Sequence, residues 1–473
     1  MNKWILILIA FVAFQSNAQE SQVKTSNEFK AHGNSNPNRI GEKNKVGEVV
    51  VTFKEIPTKL SFDLPAFPSM VMENGFKYSN FWAETYDPRE WRAQGGMASF
   101  ETLMDRNNKY ARMWIEQQSD ARILVRVRGA LCNIEEDIAH ADFESKSPYG
   151  DGDWVDEWFY IYPDGVHTRH VKIYTGLADR SRPFGFDRDP PKVVHEFMES
   201  AVVGKTGYYP VDMIDTNAIT VIRLIGDNVN QLITEGESKT ISYVPYPDDF
   251  GQFRDANIWM VNMKSEYKPF VIGMPYGSRV QPYSAEDDLP YVFQTWGDPP
   301  DGDYSCGLGH MLNYWHFRRN EHSIEQVYLQ GMTNAENTQE ELVSLAWSWI
   351  ASFILYTEKD ESKRQQSYDV LYKHEQRAYT VPKTKNGPEL LEFTLEPDWD
   401  IEDFGAGNWL INPAFVLENW GESGVKLEVN DEEIRPGKDF KVGYEKTSDG
   451  TDLVLWVRLK TSESTKFKLI PKE

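Results

Sequence analysis

Residues 154–174 read Trp154-Val-Asp-Glu-Trp-Phe-Tyr-Ile-Tyr162-Pro-Asp-Gly165-Val-His-Thr-Arg-His170-Val-Lys-Ile-Tyr174. Two runs rich in aromatic and β-branched residues, Trp154–Tyr162 and His170–Tyr174, flank the turn sequence Pro-Asp-Gly. The stretch is therefore predicted to form a strand, a turn and a second strand. Side chains alternate between the faces of a strand, so one face of the first strand carries Trp154, Asp156, Trp158, Tyr160 and Tyr162.

Similar runs recur along most of the chain, and turn sequences separate them. They predict a mostly β fold: a large antiparallel β-sandwich, supersandwich-like, with few helices and a small C-terminal β-sandwich domain. The further strand runs are Val49–Phe53, Ile123–Arg128, Val193–Val203, Ala218–Leu224, Ile241–Val244, Ile258–Met263, Tyr291–Trp296, His310–Phe317, Val425–Val429, Phe440–Tyr444, Asp452–Val457 and Lys466–Ile470.

Two stretches predict helices. Ser99–Gln118 has a mixed pattern that allows a helix. Thr338-Gln-Glu-Glu341 has the sequence of a capping box and precedes the apolar run Leu342–Ile350, which predicts a helix beginning there.

The beginning of the chain resembles an export signal. Lys3 precedes a short apolar run, and the small residues Ser16-Asn-Ala18 follow it. Gln19 is not a cysteine, so we expect no lipid anchor, and we expect no membrane anchor elsewhere. The predicted divisions are a signal peptide (1–18), a disordered leader (19–45), a large β-sandwich catalytic domain (46–380) and a small C-terminal β domain (381–473). We expect a periplasmic protein, with secretion as the alternative.

The chain has a net charge of −23, from 50 basic and 73 acidic residues. Such a charge opposes binding to nucleic acid and to anionic membranes. An acidic saccharide would need a local basic pocket. The two cysteines, Cys132 and Cys306, allow one disulfide or two buried thiols. The oligomeric state stays open.

Three of the nine histidines lie in the run His310-Met-Leu-Asn-Tyr-Trp-His316-Phe-Arg-Arg-Asn-Glu-His322. Read as one strand, it places Tyr314, His316 and Arg318 on one face, where an acid/base pair would lie beside a cation. That combination suits carboxylate binding and proton transfer, and it predicts an enzyme acting on acidic sugars. A solvated surface strand is the alternative. A zinc site is disfavoured because six strand residues span about 20 Å.

Three further patterns are candidates for the site. His195, Phe197 and Glu199 share a strand face, so Glu199 is positioned to orient the imidazole of His195, unless the two form an ordinary half-buried pair. His170, Lys172 and Tyr174 share a face of another strand. The aromatic face that includes Trp158 is either inter-sheet packing, which we favour, or a sugar-stacking platform. The arginines of a third strand either bind an anion or pair with carboxylates: Arg122, Arg126 and Arg128.

The chain resembles secreted β-sandwich proteins of marine ulvan-utilisation systems, among them an oligosaccharide dehydratase, from about residue 80 to the C-terminus. The residues that carry the resemblance are Trp158–Gly165 with Arg169–Tyr174, His195–Ser200, Tyr314–His316 and Gln330–Thr333. It implies removal of water from a non-reducing-end glucuronic or iduronic acid, which leaves a 4,5-unsaturated uronate. A cation would neutralise the carboxylate, a base would take the C5 proton, and an acid would protonate the departing hydroxyl.

The residues are assigned to these steps by our own inference. The predicted catalytic residues are His195, Tyr314 and His316, and the predicted substrate-binding residues are Arg318, Arg279, His170, Glu199 and Trp158. We expect an anionic oligosaccharide as substrate and no cofactor, while a metal stays open. The alternatives are a polysaccharide lyase, a glycosidase that uses Glu157 and Glu199, and a non-catalytic glycan-binding protein.

Overall fold

The computed structural model describes most of the chain, and everything below refers to those residues. No helix among them is long and apolar enough to cross a membrane. The predicted signal peptide and most of the predicted leader lie outside the described residues. The described ranges are 28–33, 48–63, 67–85, 99–105, 107–133, 135–139, 141, 147–174, 195–203, 208, 210–225, 232–241, 253, 256–275, 278–282, 294–296, 305–313, 318–319, 323–356, 372–382, 388–397 and 409–472.

Ten antiparallel strands form the first sheet, in the order β1-β2-β3-β4-β5-β11-β18-β16, with β6 beside β5 and β17 beside β18. Their bounds are β1 Lys30–Gly33, β2 Glu48–Thr52, β3 Lys59–Asp63, β4 Phe67–Val71, β5 Lys77–Thr85, β6 Ser99–Glu101, β11 His195–Val203, β16 Ser278–Pro282, β17 Gln294–Trp296 and β18 Ser305–Asn313.

Ten more strands form the second sheet, in the order β13-β12-β14-β15-β20-β10-β9-β8-β7, with β19 beside β20. Their bounds are β7 Arg112–Gln118, β8 Ile123–Ala130, β9 Trp154–Ile161, β10 His167–Tyr174, β12 Ile214–Ile225, β13 Leu232–Ile241, β14 Ile258–Met263, β15 Lys268–Ile272, β19 Arg318–Arg319 and β20 Ser323–Thr333.

The C-terminal part contains two five-stranded sheets and a strand pair. Some of these strands precede residue 381, and the domain boundary itself stays a prediction. Two α-helices are described, α1 Pro210–Met213 and α2 Thr338–Ile350, with 3-10 turns at Thr102–Met104 and His374–Gln376. The strands are β21 Ile354–Tyr356, β22 Tyr372–Lys373, β23 Ala378–Val381, β24 Leu391–Glu396, β25 Leu410–Ile411, β26 Ala414–Leu417, β27 Val425–Val429, β28 Glu432–Glu433, β29 Phe440–Lys446, β30 Thr451–Val457, β31 Lys460–Thr461 and β32 Thr465–Pro471.

The main hydrophobic core lies between the two large sheets. Along β9, Val155, Phe159 and Ile161 enter this core, and from β11 of the first sheet Met198 and Val202 do so. Such burial of alternate residues from two facing sheets defines a β-sandwich. The predicted mostly β sandwich fold is therefore confirmed.

The hairpin of β9 and β10 has the predicted turn. The amide of Gly165 donates to the carbonyl of Tyr162 (3.0 Å), and Gly165 has φ 77°, a conformation that glycine adopts without strain. Pairing then continues from His167 opposite Ile161 to Tyr174 opposite Trp154. The second strand therefore begins three residues earlier than its sequence pattern predicted.

The outer face of the second sheet, opposite the main core, is covered only in part. Helix α2 packs on it through Val343 and Trp347, which join a cluster with Phe270 of β15. The C-terminal part packs on Tyr162 through Val454. Between these contacts, on β8, β9 and β10, half-buried polar and aromatic side chains remain at the surface.

Two local predictions are wrong. Ser99–Gln118 is not helical, because β6 pairs with β5 and β7 pairs with β8, and only Thr102–Met104 forms a helical turn. Helix α2 forms as predicted, but its N-cap is Asn337, which makes no side-chain capping bond. The hydroxyl of Thr338 donates instead to the carbonyl of Ala335 (2.8 Å), so no capping box forms.

A buried ion pair crosses the main core. Arg169 Nε of β10 donates to Glu157 Oε2 of β9 at 2.6 Å, and the two side chains are 1% and 3% exposed. Arg169 Nη1 also donates to the backbone carbonyl of Asn80 at 3.1 Å and to the side-chain oxygen of Asn80. Asn80 belongs to β5, so this guanidinium joins the second sheet to the first.

We expect Arg169→Met to lower the free energy of unfolding by about 3–5 kcal/mol, because it leaves the Glu157 carboxylate buried without its partner. Adding Glu157→Leu removes that charge and should recover part of the loss. Lys466→Met breaks exposed pairs with Glu392 and Asp431 and should lower the free energy of unfolding far less, because solvent screens such pairs. Urea unfolding of the four proteins measures these differences. Equal losses for Arg169→Met and Lys466→Met would contradict the role given to Arg169.

Candidate functional site

The histidine run that was predicted to be one strand is divided between the two large sheets. Strand β18 ends at Asn313 in the first sheet, whereas Arg318 and Arg319 form β19 and pair with β20 in the second. The prediction that the run forms one strand is therefore wrong, while the shared face of Tyr314, His316 and Arg318 stays a prediction. Residues 314–317 and 320–322, which include Tyr314 and His316, lie outside the described residues.

Two other predicted residues lie near each other in the first sheet. Arg279 of β16 pairs with Leu312 of β18, and Leu312 pairs with Phe197 of β11, two residues after His195. His195 and Arg279 therefore lie at the end of the sheet where β18 stops. The structure describes these two residues by their backbones, and their catalytic and binding roles stay predictions.

Glu199 is also on β11, with its side chain buried. Its neighbours Met198 and Ser200 alternate with it, and Met198 enters the main core, so Glu199 lies on the opposite face of the first sheet. Four strand residues span about 13 Å, which separates Glu199 from the start of β11 at His195. Strand spacing alone therefore brings no direct contact between the Glu199 carboxylate and the His195 position.

The short chain connection keeps the end of β18 in the first sheet close to Arg318 in the second. Five residue steps separate Asn313 in the first sheet from Arg318 in the second. Because each step extends at most about 3.6 Å, their Cα atoms lie within about 18 Å. Asn313, at the end of β18, is thus at most about 18 Å from Arg318, and His195 and Arg279 lie on strands of the same sheet near that end.

Three predicted residues meet on the outer face of the second sheet. His170 of β10 lies between Trp158 of β9 and Glu325 of β20: its ring stacks on Trp158 (centroids 5.0 Å apart, planes at 25°), and its Nε2 is 2.9 Å from Glu325 Oε2. Lys172 Nζ approaches Glu325 Oε1 at 3.1 Å, and Arg318 Nη1 approaches Glu325 Oε2 at 3.4 Å. We call these five residues the His170 cluster.

Trp158 holds His170 rather than offering a stacking platform. Arg126, on the neighbouring strand β8, lies 4.6 Å from the ring of Trp158, on the side away from β10, and 5.1 Å from the ring of Trp114. Since His170 and Arg126 approach from opposite sides, both faces of the Trp158 ring are occupied. Trp158 therefore packs between side chains of its own sheet, and the predicted packing between two sheets is wrong for this residue.

The arginines of β8 pair with carboxylates, as one of the two interpretations held. Arg126 Nη2 and Arg128 Nε bind the two oxygens of Asp156 at 3.1 and 2.9 Å. Arg122, just before β8, forms a buried pair with Glu445 of the C-terminal part (2.5 Å). Because Arg122, Arg126 and Arg128 are paired with carboxylates of the fold, they do not form an open anion-binding site.

A segment near the C-terminal sheets contacts Arg318 of the His170 cluster and is itself anchored on the second sheet. Arg318 Nη2 donates to Glu375 Oε1 at 2.8 Å, and the backbone carbonyl of Glu375 accepts a hydrogen bond from Thr168 of β10 at 2.7 Å. The next two residues are anchored as well: the carbonyl of Gln376 accepts from Tyr162, and Arg377 pairs with Asp164 in the hairpin turn. Glu375 therefore positions Arg318 on the face of the second sheet.

Sequence reasoning missed Glu325 and Glu375. Glu325 lies in the run Ser323–Thr333, where every residue is buried, and it pairs in register with Lys172. An acidic residue in a strand run that also carries Ile324, Val327 and Leu329 was a usable signal, because a carboxylate needs a partner when it is buried. Glu375 had no such signal, since its position depends on contacts between distant parts of the chain.

Glu325 stays ionised far into the acidic range. The hydrogen bond from His170 lowers its pKa to about 2, and the hydrogen bond from Lys172 acts in the same direction against the opposing effect of burial. A carboxylate that stays charged accepts the Nε2 proton of His170 and orients the ring, which leaves Nδ1 as the acceptor nitrogen of the neutral imidazole.

Other proposed sites find less support. Glu157, one half of the glycosidase alternative, is held by Arg169 within the main core, whereas Glu199 lies on the other face of the first sheet, so the two do not flank one bond. In the described part of the chain, no group of three or more His, Cys, Asp or Glu residues forms a metal site. Cys132 is a buried free thiol, and burial raises its pKa.

Comparisons with known proteins do not name the family. No protein-family model matches the chain, and no curated protein matches it significantly. Among similar solved structures is a galactose 1-epimerase from Lactobacillus acidophilus NCFM, with 6% identity, a TM-score of 0.26, and coverage of 65% of this chain and 99% of the epimerase. Another is a polysaccharide lyase with 9% identity and a TM-score of 0.18, covering 94% of this chain and 45% of the lyase. At such scores neither similarity bears on the activity.

The low pKa of Glu325 predicts how stability depends on pH. A carboxylate whose pKa falls on folding adds stability above its unfolded pKa of about 4.3, and this stability is lost as the pH falls toward 2. Glu325→Gln should therefore be about 1–2 kcal/mol less stable than the natural protein at pH 7, and the difference should shrink between pH 5 and pH 3. Urea unfolding across that range measures it.

Glu116→Gln is the control, because Glu116 is a more exposed carboxylate on the edge strand β7, 3.6 Å from Arg126. It should change stability by less than about 1 kcal/mol at any pH. A Glu325→Gln difference that stays constant from pH 7 to pH 3 would contradict the assigned pKa.

Proposed function

We propose that the protein is a carbohydrate-active enzyme that eliminates water from the uronic acid at the non-reducing end of an oligosaccharide. The observation that carries the proposal is the His170 cluster: an imidazole fixed by a carboxylate and an aromatic ring, beside two cations on a partly exposed sheet face. General-base chemistry next to a carboxylate-binding cation is what such an elimination requires.

The contacts of His170 fix the orientation of its ring, as proton transfer by a general base requires. Glu325 accepts from Nε2, and Trp158 fixes the plane of the ring, so Nδ1 is the nitrogen that would take a proton from C5 of the sugar. The resulting imidazolium would lie beside an ionised carboxylate that stabilises it. His195 and His316 remain candidates for the same step.

Arg318 is the proposed partner of the substrate carboxylate. Its guanidinium contacts the carboxylates of Glu325 and Glu375 through its two terminal nitrogens. The side chain is 50% exposed, so a substrate carboxylate can approach the guanidinium from solvent. Lys172, 23% exposed, adds a second cation, and Arg279 stays a candidate in the first sheet.

The acid that protonates the departing hydroxyl is proposed from the residues that join β18 to β19 in the sequence and from His195. Tyr314 and His316 lie in the four-residue connection from Asn313 to Arg318, and His195 lies at the end of the sheet where that connection starts. Because Asn313 and Arg318 are within about 18 Å, a sugar bound at Arg318 is in reach of side chains from this connection.

The reaction balances without an external co-reactant. The base removes the C5 proton, and the electron pair of that C–H bond forms the C4=C5 double bond. The C4–O bond breaks, and the departing oxygen takes a proton from the acid and leaves as water. Neutralisation of the carboxylate on C5 by Arg318 stabilises the charge that develops during proton removal.

Incubation with a saturated oligosaccharide that ends in glucuronic acid tests the reaction. We expect rising ultraviolet absorbance from the unsaturated uronate and no loss of chain length, measured by mass spectrometry as a loss of one water. Shortening of the chain would show a polysaccharide lyase instead. Binding without any product would show a glycan-binding protein.

His170→Gln should lower kcat by about 100-fold or more, the usual contribution of a general base. The matched control is His32→Gln, an exposed histidine of β1, which should leave kcat unchanged. His195→Gln and His316→Gln in the same assay assign the remaining steps. A fully active His170→Gln protein with intact stability would exclude His170 as the base.

Glu375→Gln should affect substrate binding more than chemistry, because Glu375 acts through Arg318. We expect a several-fold rise in KM, a smaller change in kcat, and a pH profile like that of the natural protein. Arg318→Lys keeps the charge but loses the planar fork, and it should raise KM further. A fall in kcat with unchanged KM in Glu375→Gln would contradict this positioning role.

A further inference from the structure

A polar cleft of about 500 Å³ lies on the protein away from the His170 cluster. Its walls come from the residues around β1, the segment after β2, the turn between β7 and β8, the hairpin turn at Pro163, and two C-terminal residues, Lys441 of β29 and Arg458 after β30. The volume falls within the range of about 300–1,000 Å³ that is typical of small-molecule sites.

The wall nearest the C-terminal part is held rigidly. Ser119 Oγ donates to the carbonyl of Arg122 (3.0 Å) and closes the β7–β8 turn. A Cβ atom at Gly443 of β29 would overlap the side chain of Ser119, so glycine is needed for this close approach. The buried pair of Arg122 and Glu445 fixes β29 against the same turn.

The opposite wall is also fixed. Phe29 stacks on Phe53 with ring centroids 6.0 Å apart and planes at 22°. Glu55 Oε2 lies 2.6 Å from Arg458 Nη2, which joins the segment after β2 to the C-terminal part across the cleft. The cleft is therefore preformed by side chains that have defined partners.

Charge in the cleft favours an anionic ligand. Lys54 and Lys441 line it, and neither forms an ion pair with another described residue. In a chain with a net charge of −23, these two lysines lie in one cleft and are available to a negatively charged ligand. Both can neutralise a carboxylate or sulfate group of a ligand.

The other residues that line the cleft indicate a ligand larger than a simple ion. Glu55, Asp120 and Gln118 supply acceptors and a donor for hydroxyl groups, while Phe29 offers an apolar ring edge. An inorganic anion such as sulfate has no donor for the carboxylates of Glu55 and Asp120, and a neutral sugar would leave both lysines unused. A ligand that carries hydroxyls and negative groups together fits all of these side chains.

We propose that this cleft is a second, non-catalytic site that binds a short acidic oligosaccharide. Lys54 and Lys441 bind its negative groups, and Gln118 with Asp120 binds its hydroxyls. The site belongs to the interface between the N-terminal strands and the C-terminal part. It would hold an acidic polysaccharide on the protein independently of turnover at the His170 cluster.

The test is calorimetric titration of the full chain with saturated trigalacturonate, with maltotriose as the neutral probe and inorganic sulfate as the charge-only probe. Lys54→Gln/Lys441→Gln should weaken one trigalacturonate binding event by about tenfold or more and leave turnover unchanged. Its matched control is Lys438→Gln/Lys446→Gln, which removes two exposed lysines of the same C-terminal part outside the cleft. Binding should also weaken as salt rises.

Coincident isotherms for the two double variants would overturn the site. Maltotriose or sulfate binding as tightly as trigalacturonate in the natural protein would overturn the acidic-sugar class. Failure of the proposed elimination reaction appears separately, as absence of product, and leaves this binding event in place. The two proposals can therefore fail independently.

Discussion

The ion pair between Arg169 and Glu157 is the interaction on which the arrangement of the two large sheets depends. A charged guanidinium in an apolar core is stable only where acceptors surround it, and here they come from β9 and from β5 of the facing sheet. This requirement fixes how the second sheet lies over the first at this position. The strand that carries Arg169 inward carries His170 outward, so the same constraint sets the position of the candidate base.

The C-terminal part is more than an appended sandwich. The segment from His374 to Arg377 lies on the outer face of the second sheet and provides Glu375 to Arg318. Arg377 has a left-handed conformation (φ 50°), which is unusual for a residue with a side chain, and its pair with Asp164 holds it there. The proposed carboxylate-binding residue is thus positioned by residues that lie more than fifty positions away in the chain.

Alternation of apolar and polar residues predicted the sandwich, because every strand that faces the core must bury one side. It also predicted correctly that His170, Lys172 and Tyr174 share one face of β10, since their neighbours Val171 and Ile173 are core residues. It failed for Ser99–Gln118, where the pairing of β6 and β7 with distant strands overrides a mixed local pattern.

The histidine run shows a different limit. Its alternation is compatible with one strand, but periodicity does not reveal where a chain leaves one sheet for another. Residues up to Asn313 pair in the first sheet and Arg318 and Arg319 pair in the second, so the run is not one strand. Partners such as Glu325 and Glu375 were equally beyond a pattern-based method, because register and contacts between distant segments determine them.

The contact of Arg122 with Glu445 has a consequence for how this protein could be altered. Each of these buried charges is acceptable only in the presence of the other, and Ser119 and Gly443 fit together beside them. A C-terminal sandwich from another protein would therefore fit here only if it carried a carboxylate at the position of Glu445 and a glycine at the position of Gly443. Substitutions on the two sides of this interface should accumulate in pairs rather than singly.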